Sequence, residues 1–388
     1  MIKITNALTR APQLTVKDIV IVNGAERKPF DSWQGKVFED GDLPQVSETY
    51  NREAGEIWNK YFEWLFKKGG EKGPLPARIA AQLKTLDDEK FPIVNVLLKG
   101  GKVRRLELLE LLISRPDELE KEIGGIKLRE LGGERNSEEE KAAEEGKTPG
   151  KKRRKANPLS KAFDYKELSG DSKLRSVIEL LGVRICPYCG RAFTGAVRRK
   201  NGKLIRTDQL DHFLPKSKYP QLALSLWNLI PSCGACNNRK SDDCEDEILY
   251  PYAEEMGDAC RFVTHPVSGF GYLLGEPSEG DFEISLEAKD GDSDIAKKAK
   301  AEAELFGTKE LYQQHKAYVR DIFRQRYVFG DPYIDDLITT FPRLFRSREQ
   351  VRALLYMKKI DPGSIGTEPL DKLTRDIDLE IDELEKRY

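Results

Sequence analysis

Four cysteines occur as two Cys-x-x-Cys pairs, and thiolates at this spacing are typical ligands of a tetrahedral zinc ion. The pairs are Cys186 and Cys189 in ICPYCGRAF, and Cys233 and Cys236 in PSCGACNNRK. Two such pairs supply four ligands and leave no open position, so the pattern favours a structural zinc site. A redox dithiol and four unrelated buried thiols are the alternatives.

A second group of polar residues lies between and beside the cysteine pairs: Asp211, His212, Asn228 and Asn237. An imidazole with a pKa near neutrality is suited to general-base catalysis. Carboxylate and amide oxygens are the ligands that Mg²⁺ or Mn²⁺ prefers. Residues of these types can transfer protons and bind a divalent cation.

The same segment predicts two strands and a helix. LIRTDQLDHF and WNLIPS read as short strands, and GACNNRKSDD reads as the start of a helix. This is a ββα unit with one cysteine pair at each end. Adjacent residues on a flat strand face opposite sides, so we expect a twist or bulge at Asp211 and His212 if both serve one site.

These residues resemble the HNH endonuclease family, also called the ββα-metal nucleases. The family motif has the form (D)H-x-x-P … N-L … C-x-x-C-(H/N)-x-x-K. The chain supplies each position of this motif: Asp211, His212, Pro215, Asn228, Leu229, Cys233, Cys236, Asn237 and Lys240. Asn237 replaces the third name-giving histidine and makes this an HNN variant, similar to the HNH domain of the RNA-guided CRISPR nuclease.

The resemblance implies a role for each residue in phosphodiester hydrolysis. His212 is expected to be the general base, and Asn228 to tether the loop that orients it. Asp211 and Asn237 are expected to hold a catalytic Mg²⁺ or Mn²⁺. Alternatively, Asp211 tethers the histidine, and Asn237 caps the helix.

Several basic residues are candidates for contacts with the phosphates of DNA. For Lys240, a solvated position on the helix is the alternative. The full set is Lys240, Arg239, Lys216, Arg198, Arg199 and Lys200.

The flanking regions predict mostly helix, so the expected fold class is α+β, mainly α-helical, with a zinc-bound ββα core. In the N-terminal region, NREAGEIWNKYFEWLFKK places apolar residues on one helical face, and PARIAAQLKTL and VRRLELLELLIS read as further helices. We expect a helical region over 1–130, a charged flexible linker over 131–160, the nuclease core over 161–250 and a mainly helical region over 251–388. The linker composition cannot bury enough surface to fold alone, and its basic end is also a candidate DNA contact.

The 388 residues carry a formal net charge of −1, which by itself argues against a nucleic-acid partner. The charge is unevenly spread, however. The range 147–240 holds 21 Lys/Arg and 6 Asp/Glu, a local balance of +15. Such a segment can engage a phosphate backbone. Because neither a secretory signal nor an apolar run of membrane-spanning length is present, we expect a cytoplasmic protein.

These observations predict a metal-dependent endonuclease that hydrolyses DNA, with zinc as a structural ion. The segments LGV-x-x-CPYC and PLDKLTRDI look similar to stand-alone bacterial HNH proteins of anti-phage defence systems, of the Septu type or associated with retrons. That resemblance implies an ATPase or another defence-system protein as partner. The alternative is a catalytically inactive, zinc-stabilised module that binds nucleic acid or protein.

Overall fold

The structure is a computed structural model that describes residues 2–33, 35–66, 74–132, 157–165, 172–202, 204–242, 247–275, 282–289, 291 and 293–387. Most of the expected linker, 133–156, lies outside the described residues. Within the described ranges, none of the helices has both the length and the apolar character that crossing a bilayer requires.

The N-terminal region combines helices with short strands. It contains α1 (Ala7–Arg10), β1 (Ile19–Asn23), β2 (Glu26–Lys28), α2 (Phe30–Trp33), β3 (Leu43–Val46), α3 (Arg52–Phe66), α4 (Leu75–Leu83), α5 (Ile93–Leu97), β4 (Leu98–Lys99), β5 (Lys102–Val103), α6 (Arg105–Ile113), β6 (Glu122–Ile123) and β7 (Ile126–Lys127). Strands β2, β1 and β3 form an antiparallel sheet in that order. The sequence did not predict this sheet.

Helix α3 is the most buried element of the N-terminal region. Its predicted apolar face is confirmed, since Ile57, Tyr61, Trp64 and Leu65 are all at most 2 % exposed. Trp58 is buried as well. The apolar surface is therefore wider than a single stripe, which fits a helix covered on several sides.

The elements of the expected core, 161–250, include the ββα unit. They are α7 (Ser172–Leu181), β8 (Ala196–Arg198), β9 (Leu204–Arg206), β10 (Gln209–His212), β11 (Leu229–Ser232) and α8 (Gly234–Lys240). The predicted strand LIRTDQLDHF is divided into two strands, because β9 pairs with β8 and β10 pairs with β11. The predicted helix after the second cysteine pair is confirmed as α8.

The C-terminal region is mainly helical, but it opens with an antiparallel hairpin. Its elements are β12 (Cys260–Pro266), β13 (Phe282–Ala288), α9 (Asp294–Phe306), α10 (Thr308–Gln313), α11 (Lys316–Val328), α12 (Asp331–Thr340), α13 (Arg348–Tyr356) and α14 (Asp371–Arg387). The expected fold class, α+β and mainly helical with a ββα core, is confirmed.

One hydrophobic core joins the N-terminal region to the ββα unit. The rings of Trp58 on α3 and Trp227, just before β11, lie 6.0 Å apart. The guanidinium of Arg115 lies over the rings of Trp227 and Tyr250, at 5.8 and 5.7 Å. Much of the C-terminal region forms a second cluster around the β12–β13 hairpin. The N-terminal helices therefore pack against the ββα unit.

Candidate functional site

Strands β10 and β11 present the two motif residues at the end of a regular antiparallel pair. The register is one-to-one, with Asp211 opposite Ile230 and His212 opposite Leu229. The expected bulge is therefore absent from this strand pair. Because adjacent residues of a regular strand face opposite sides, the side chains of Asp211 and His212 reach different partners.

The four cysteines come together beside this strand pair. The sulfur atoms of Cys186, Cys189, Cys233 and Cys236 all lie within 4.8 Å of one another. The Cys189 and Cys233 sulfurs are 3.9 Å apart. A tetrahedral zinc ion with bonds of about 2.3 Å places its sulfur ligands about 3.8 Å apart. The arrangement thus fits structural zinc, with all four positions filled by protein.

Distant parts of the chain hold the first cysteine pair in place. The amide of Ile2 donates to the Pro187 carbonyl at 2.9 Å, and the amide of Leu370 donates to the Gly190 carbonyl at 2.9 Å. The Tyr312 hydroxyl donates to the Cys189 carbonyl at 2.8 Å. The first cysteine pair and its flanking residues, 186–190, form what we call the first zinc knuckle. Residues far away in the sequence, on both sides of it, therefore hold this knuckle in place.

Asp211 lies in a buried polar cluster on the side of the strand that faces α8. The carboxylate is 2 % exposed. It accepts a 2.6 Å hydrogen bond from the Tyr188 hydroxyl and lies 3.0 Å from the ammonium of Lys240. Lys240 is 1 % exposed and also donates to the His212 carbonyl at 2.9 Å. This position differs from that of an exposed phosphate-binding lysine, because the ammonium already has two buried partners.

His212 is buried on the opposite side, against the loop that precedes β11. Its Nε2 atom lies 3.0 Å from the carbonyl oxygen of Ala223, and its ring makes an edge contact with Tyr165 at 4.7 Å. Burial, reinforced by the nearby Lys216 ammonium, lowers the pKa of His212 to about 3. The imidazole is therefore neutral near pH 7.

Asn228 bridges the two ends of the loop between the strands. Its Nδ2 donates to the carbonyls of Leu214 and Leu222, each at 3.1 Å, and its Oδ1 accepts from the Leu214 amide at 2.7 Å. The side chain is fully buried. These bonds tie the loop that carries Ala223 to the end of β10.

Asn237 lies on the same strand-facing side of α8 as Lys240, three residues earlier. Its Nδ2 donates to the Gln209 side chain at 2.6 Å. The Asn237 Oδ1 atom then has no hydrogen-bond partner among the residues that the structure describes. A carboxylate can accept about four hydrogen bonds, and the Asp211 contacts with Tyr188 and Lys240 number three. Oxygen donors thus remain on Asp211 and Asn237, and their chemistry suits Mg²⁺ or Mn²⁺.

The remaining basic candidates occupy more exposed positions. Arg198, Arg199 and Lys200 lie on the exposed end of the β8–β9 hairpin, where Arg198 pairs with Glu179 at 3.1 Å. Lys216 is exposed close to His212. Arg239 is exposed, but its Nε donates to the Leu305 carbonyl at the end of α9. The hairpin and Lys216 are therefore the candidates best placed to meet a phosphate backbone.

Sequence reasoning missed the tyrosines around the two catalytic candidates: Tyr61, Tyr165 and Tyr188. Tyr188 lies within the first cysteine pair, which is a local signal. Tyr61 is a buried core residue of α3, and its position in the sequence carries no sign of a contact with the motif.

Comparisons with known proteins agree with this geometry. Residues 186–243 match the family described as HNH endonuclease. A stretch of 63 residues is 32 % identical to a Septu protein, PtuB, from Bacillus thuringiensis. This similarity covers 16 % of the chain and 24 % of that protein, so the chain aligns with about a quarter of its relative. None of the solved structures compared matches the chain significantly.

The motif residues, the ββα register, the cysteine cluster and the family match coincide on one segment of the chain. Residues 186–243 are an HNH endonuclease domain.

Proposed function

We propose that the protein is a metal-dependent endonuclease that hydrolyses DNA phosphodiester bonds. The observation that carries this proposal is His212, held at the end of β10 with its Nε2 on the Ala223 carbonyl, within the residues that match the HNH family. A fixed neutral imidazole is the form that can accept a proton from water. The HNH family match over the same residues supports the choice of reaction.

On cation binding, the Asp211 carboxylate would turn from Lys240 towards the end of β10, so that it and His212 serve one phosphate. His212 accepts the proton of the attacking water on its free ring nitrogen. Asp211 and Asn237 would hold Mg²⁺ or Mn²⁺, which supplies positive charge for the scissile phosphate and the leaving oxygen. Asn228 ties the loop that carries Ala223 to the end of β10, and this loop holds the imidazole in its orientation.

DNA is the proposed substrate because basic side chains surround the site. The exposed hairpin end carries Arg198, Arg199 and Lys200, and Lys216 lies beside the imidazole. The local balance of +15 over 147–240 belongs to the same part of the sequence. Contacts of this kind position a nucleic acid without reading its sequence.

We further propose a role in bacterial anti-phage defence with a partner protein, such as an ATPase. The similarity to a Septu protein supports this role. Exposed apolar side chains on and between the C-terminal helices fit a protein partner. The most exposed are Tyr327 on α11 at 66 %, Leu344 between α12 and α13 at 67 %, and Met357 just after α13 at 83 %.

A plasmid-nicking assay tests the nuclease proposal. We expect the wild-type protein with Mg²⁺ or Mn²⁺ to convert supercoiled plasmid to nicked or linear DNA. His212→Ala should reduce the rate at least about a hundredfold, which is the usual contribution of a general base, while the far-ultraviolet circular dichroism stays native. His265→Ala is the matched control, because this histidine is exposed and pairs with Glu287 away from the motif.

A second function is favoured by one observation, the buried pair of Asp211 with Lys240. A carboxylate neutralised in this way suits a zinc-stabilised binding module without catalysis. DNA binding without cleavage by the wild-type protein, with either cation and on both single- and double-stranded DNA, would support this module and contradict the nuclease.

A further inference from the structure

Three successive backbone carbonyls beside His212 each accept a hydrogen bond from a side chain. The carbonyls belong to residues 222–224. In chain order, their partners are Asn228 Nδ2 at 3.1 Å, His212 Nε2 at 3.0 Å and the Tyr61 hydroxyl at 2.6 Å. The imidazole thus donates to the middle one of three carbonyls. The carbonyls on either side of it are held by two other side chains.

The N-terminal region supplies further bonds to the same loop. The hydroxyl of Ser225 donates to the Ser114 carbonyl at 2.7 Å, and Nε2 of Gln221 donates to the Leu128 carbonyl at 3.0 Å. Ser225 and Gln221 are at most 1 % exposed. Buried hydrogen bonds of this kind fix backbone position, because a lost partner leaves an unsatisfied polar group.

The middle carbonyl decides which ring nitrogen of His212 carries the proton. A carbonyl oxygen only accepts hydrogen bonds, so Nε2 of His212 must donate to Ala223. The neutral ring then has its lone pair on Nδ1. The position of the Ala223 carbonyl therefore sets the tautomer and the direction of the base.

We propose that Tyr61 is a positioning residue for His212. By holding the Leu224 carbonyl, it fixes the adjacent Ala223 carbonyl and keeps the imidazole in the tautomer with a free Nδ1. Tyr61 lies on α3, outside the residues that match the family, so the N-terminal region is part of the catalytic unit. This inference rests on the proposed function, in which His212 is the general base.

The variant Tyr61→Phe tests the inference, with Tyr50→Phe as a matched control. The Tyr50 hydroxyl also donates to a backbone carbonyl in the N-terminal region, that of Pro12. For Tyr61→Phe we expect kcat for plasmid nicking to fall about tenfold, the effect of one lost oriented hydrogen bond, with KM unchanged. Tyr50→Phe should keep the wild-type kcat.

Nitrogen-15 NMR of histidine-labelled protein gives a readout that a merely structural role would not change. The chain has three histidines, so the ring signals can be assigned by substitution. We expect wild-type His212 to show the Nε2–H tautomer alone, and Tyr61→Phe to show a mixture of both tautomers. Ser225→Ala removes an independent hydrogen bond that holds the same loop, and it should shift the same signals. If Tyr61→Phe does not fold, Ser225→Ala therefore still tests the proposal.

Wild-type kcat together with an unchanged His212 tautomer in folded Tyr61→Phe and Ser225→Ala would overturn the positioning role. The same outcome would leave the nuclease proposal intact. Conversely, an inactive wild-type protein would contradict the nuclease proposal, and the tautomer populations would still decide the role of Tyr61.

Discussion

At the scale of single residues, the pair of Asp211 and Lys240 is the most consequential contact of the site. Both side chains are at most 3 % exposed, and their charged atoms are 3.0 Å apart. A buried charge without its partner is strongly destabilising, whereas removing both charges costs less.

We therefore expect Lys240→Met to lower the free energy of unfolding by about 3–5 kcal/mol. The double variant Asp211→Asn with Lys240→Met should recover part of this loss. Urea denaturation followed by fluorescence measures both, with unchanged slopes indicating an unchanged folded state. Lys200→Met, on the exposed hairpin end, is the control. Equal losses in the Lys240 and Lys200 variants would show that the buried pair does not form.

The sequence predicted the residue types of the site but not all their partners. The spacing of the cysteines and of His212 carries a local pattern, and the structure brings the four cysteines together. The burial of Lys240 has no such pattern, since a helical lysine is usually solvated. The contact of Tyr61 with the loop before β11 joins residues 163 positions apart. Only tertiary packing creates a contact of that kind.

At the scale of elements, α14 is tied to the β12–β13 hairpin through one carboxyl group. Glu380 accepts hydrogen bonds from the amide and the hydroxyl of Thr264, at 3.1 and 2.6 Å. Burial raises the pKa of Glu380 to about 7, well above its ordinary value. The folded protein then binds a proton that the unfolded chain has already lost.

This difference predicts that stability falls as the pH rises from about 4.5 to 7, because proton binding favours the folded state in that window. The loss should be on the order of 2 kcal/mol after allowance for solvent screening. In Glu380→Gln, the difference in unfolding free energy between pH 5 and pH 8 should shrink by that amount. Glu310→Gln, at an exposed position of α10, should behave like the wild type. An identical pH dependence of all three proteins would contradict the prediction.

The helices were easier to predict than the strands, for a physical reason. The periodicity of α3 and α6 is a local property, and both helices appear where it predicted them. The sheet of β1, β2 and β3 and the β12–β13 hairpin consist of short strands whose pairing depends on distant residues. The alternation of apolar and polar residues in these segments was too short to distinguish the strands from the loops around them.

At the scale of the whole molecule, the cysteine cluster is the clearest source of stability outside the hydrophobic core. A ββα unit buries little apolar surface, and a structural metal can supply the missing stability. The predicted zinc ion would therefore support the segment that carries every catalytic candidate.

We expect one zinc ion per chain by elemental analysis of the purified protein. Cys186→Ala should lose the zinc and lower the unfolding temperature by about 10 °C or more, which corresponds to about 4 kcal/mol for a domain of this size. Cys260→Ala, buried in the C-terminal cluster, should keep the zinc, as should His212→Ala. A zinc-free wild-type protein, or full zinc content and native activity in Cys186→Ala, would disprove the site.

The backbone bonds of Ile2 and Leu370 to the first zinc knuckle have a consequence for protein synthesis. During translation Ile2 precedes the cysteines, and Leu370 is made well after them. The first cysteine pair therefore acquires both of these backbone contacts only after Leu370 has been made. A nascent chain that stalls before Leu370 lacks one of these contacts, so the order of synthesis itself delays the completion of the HNH domain.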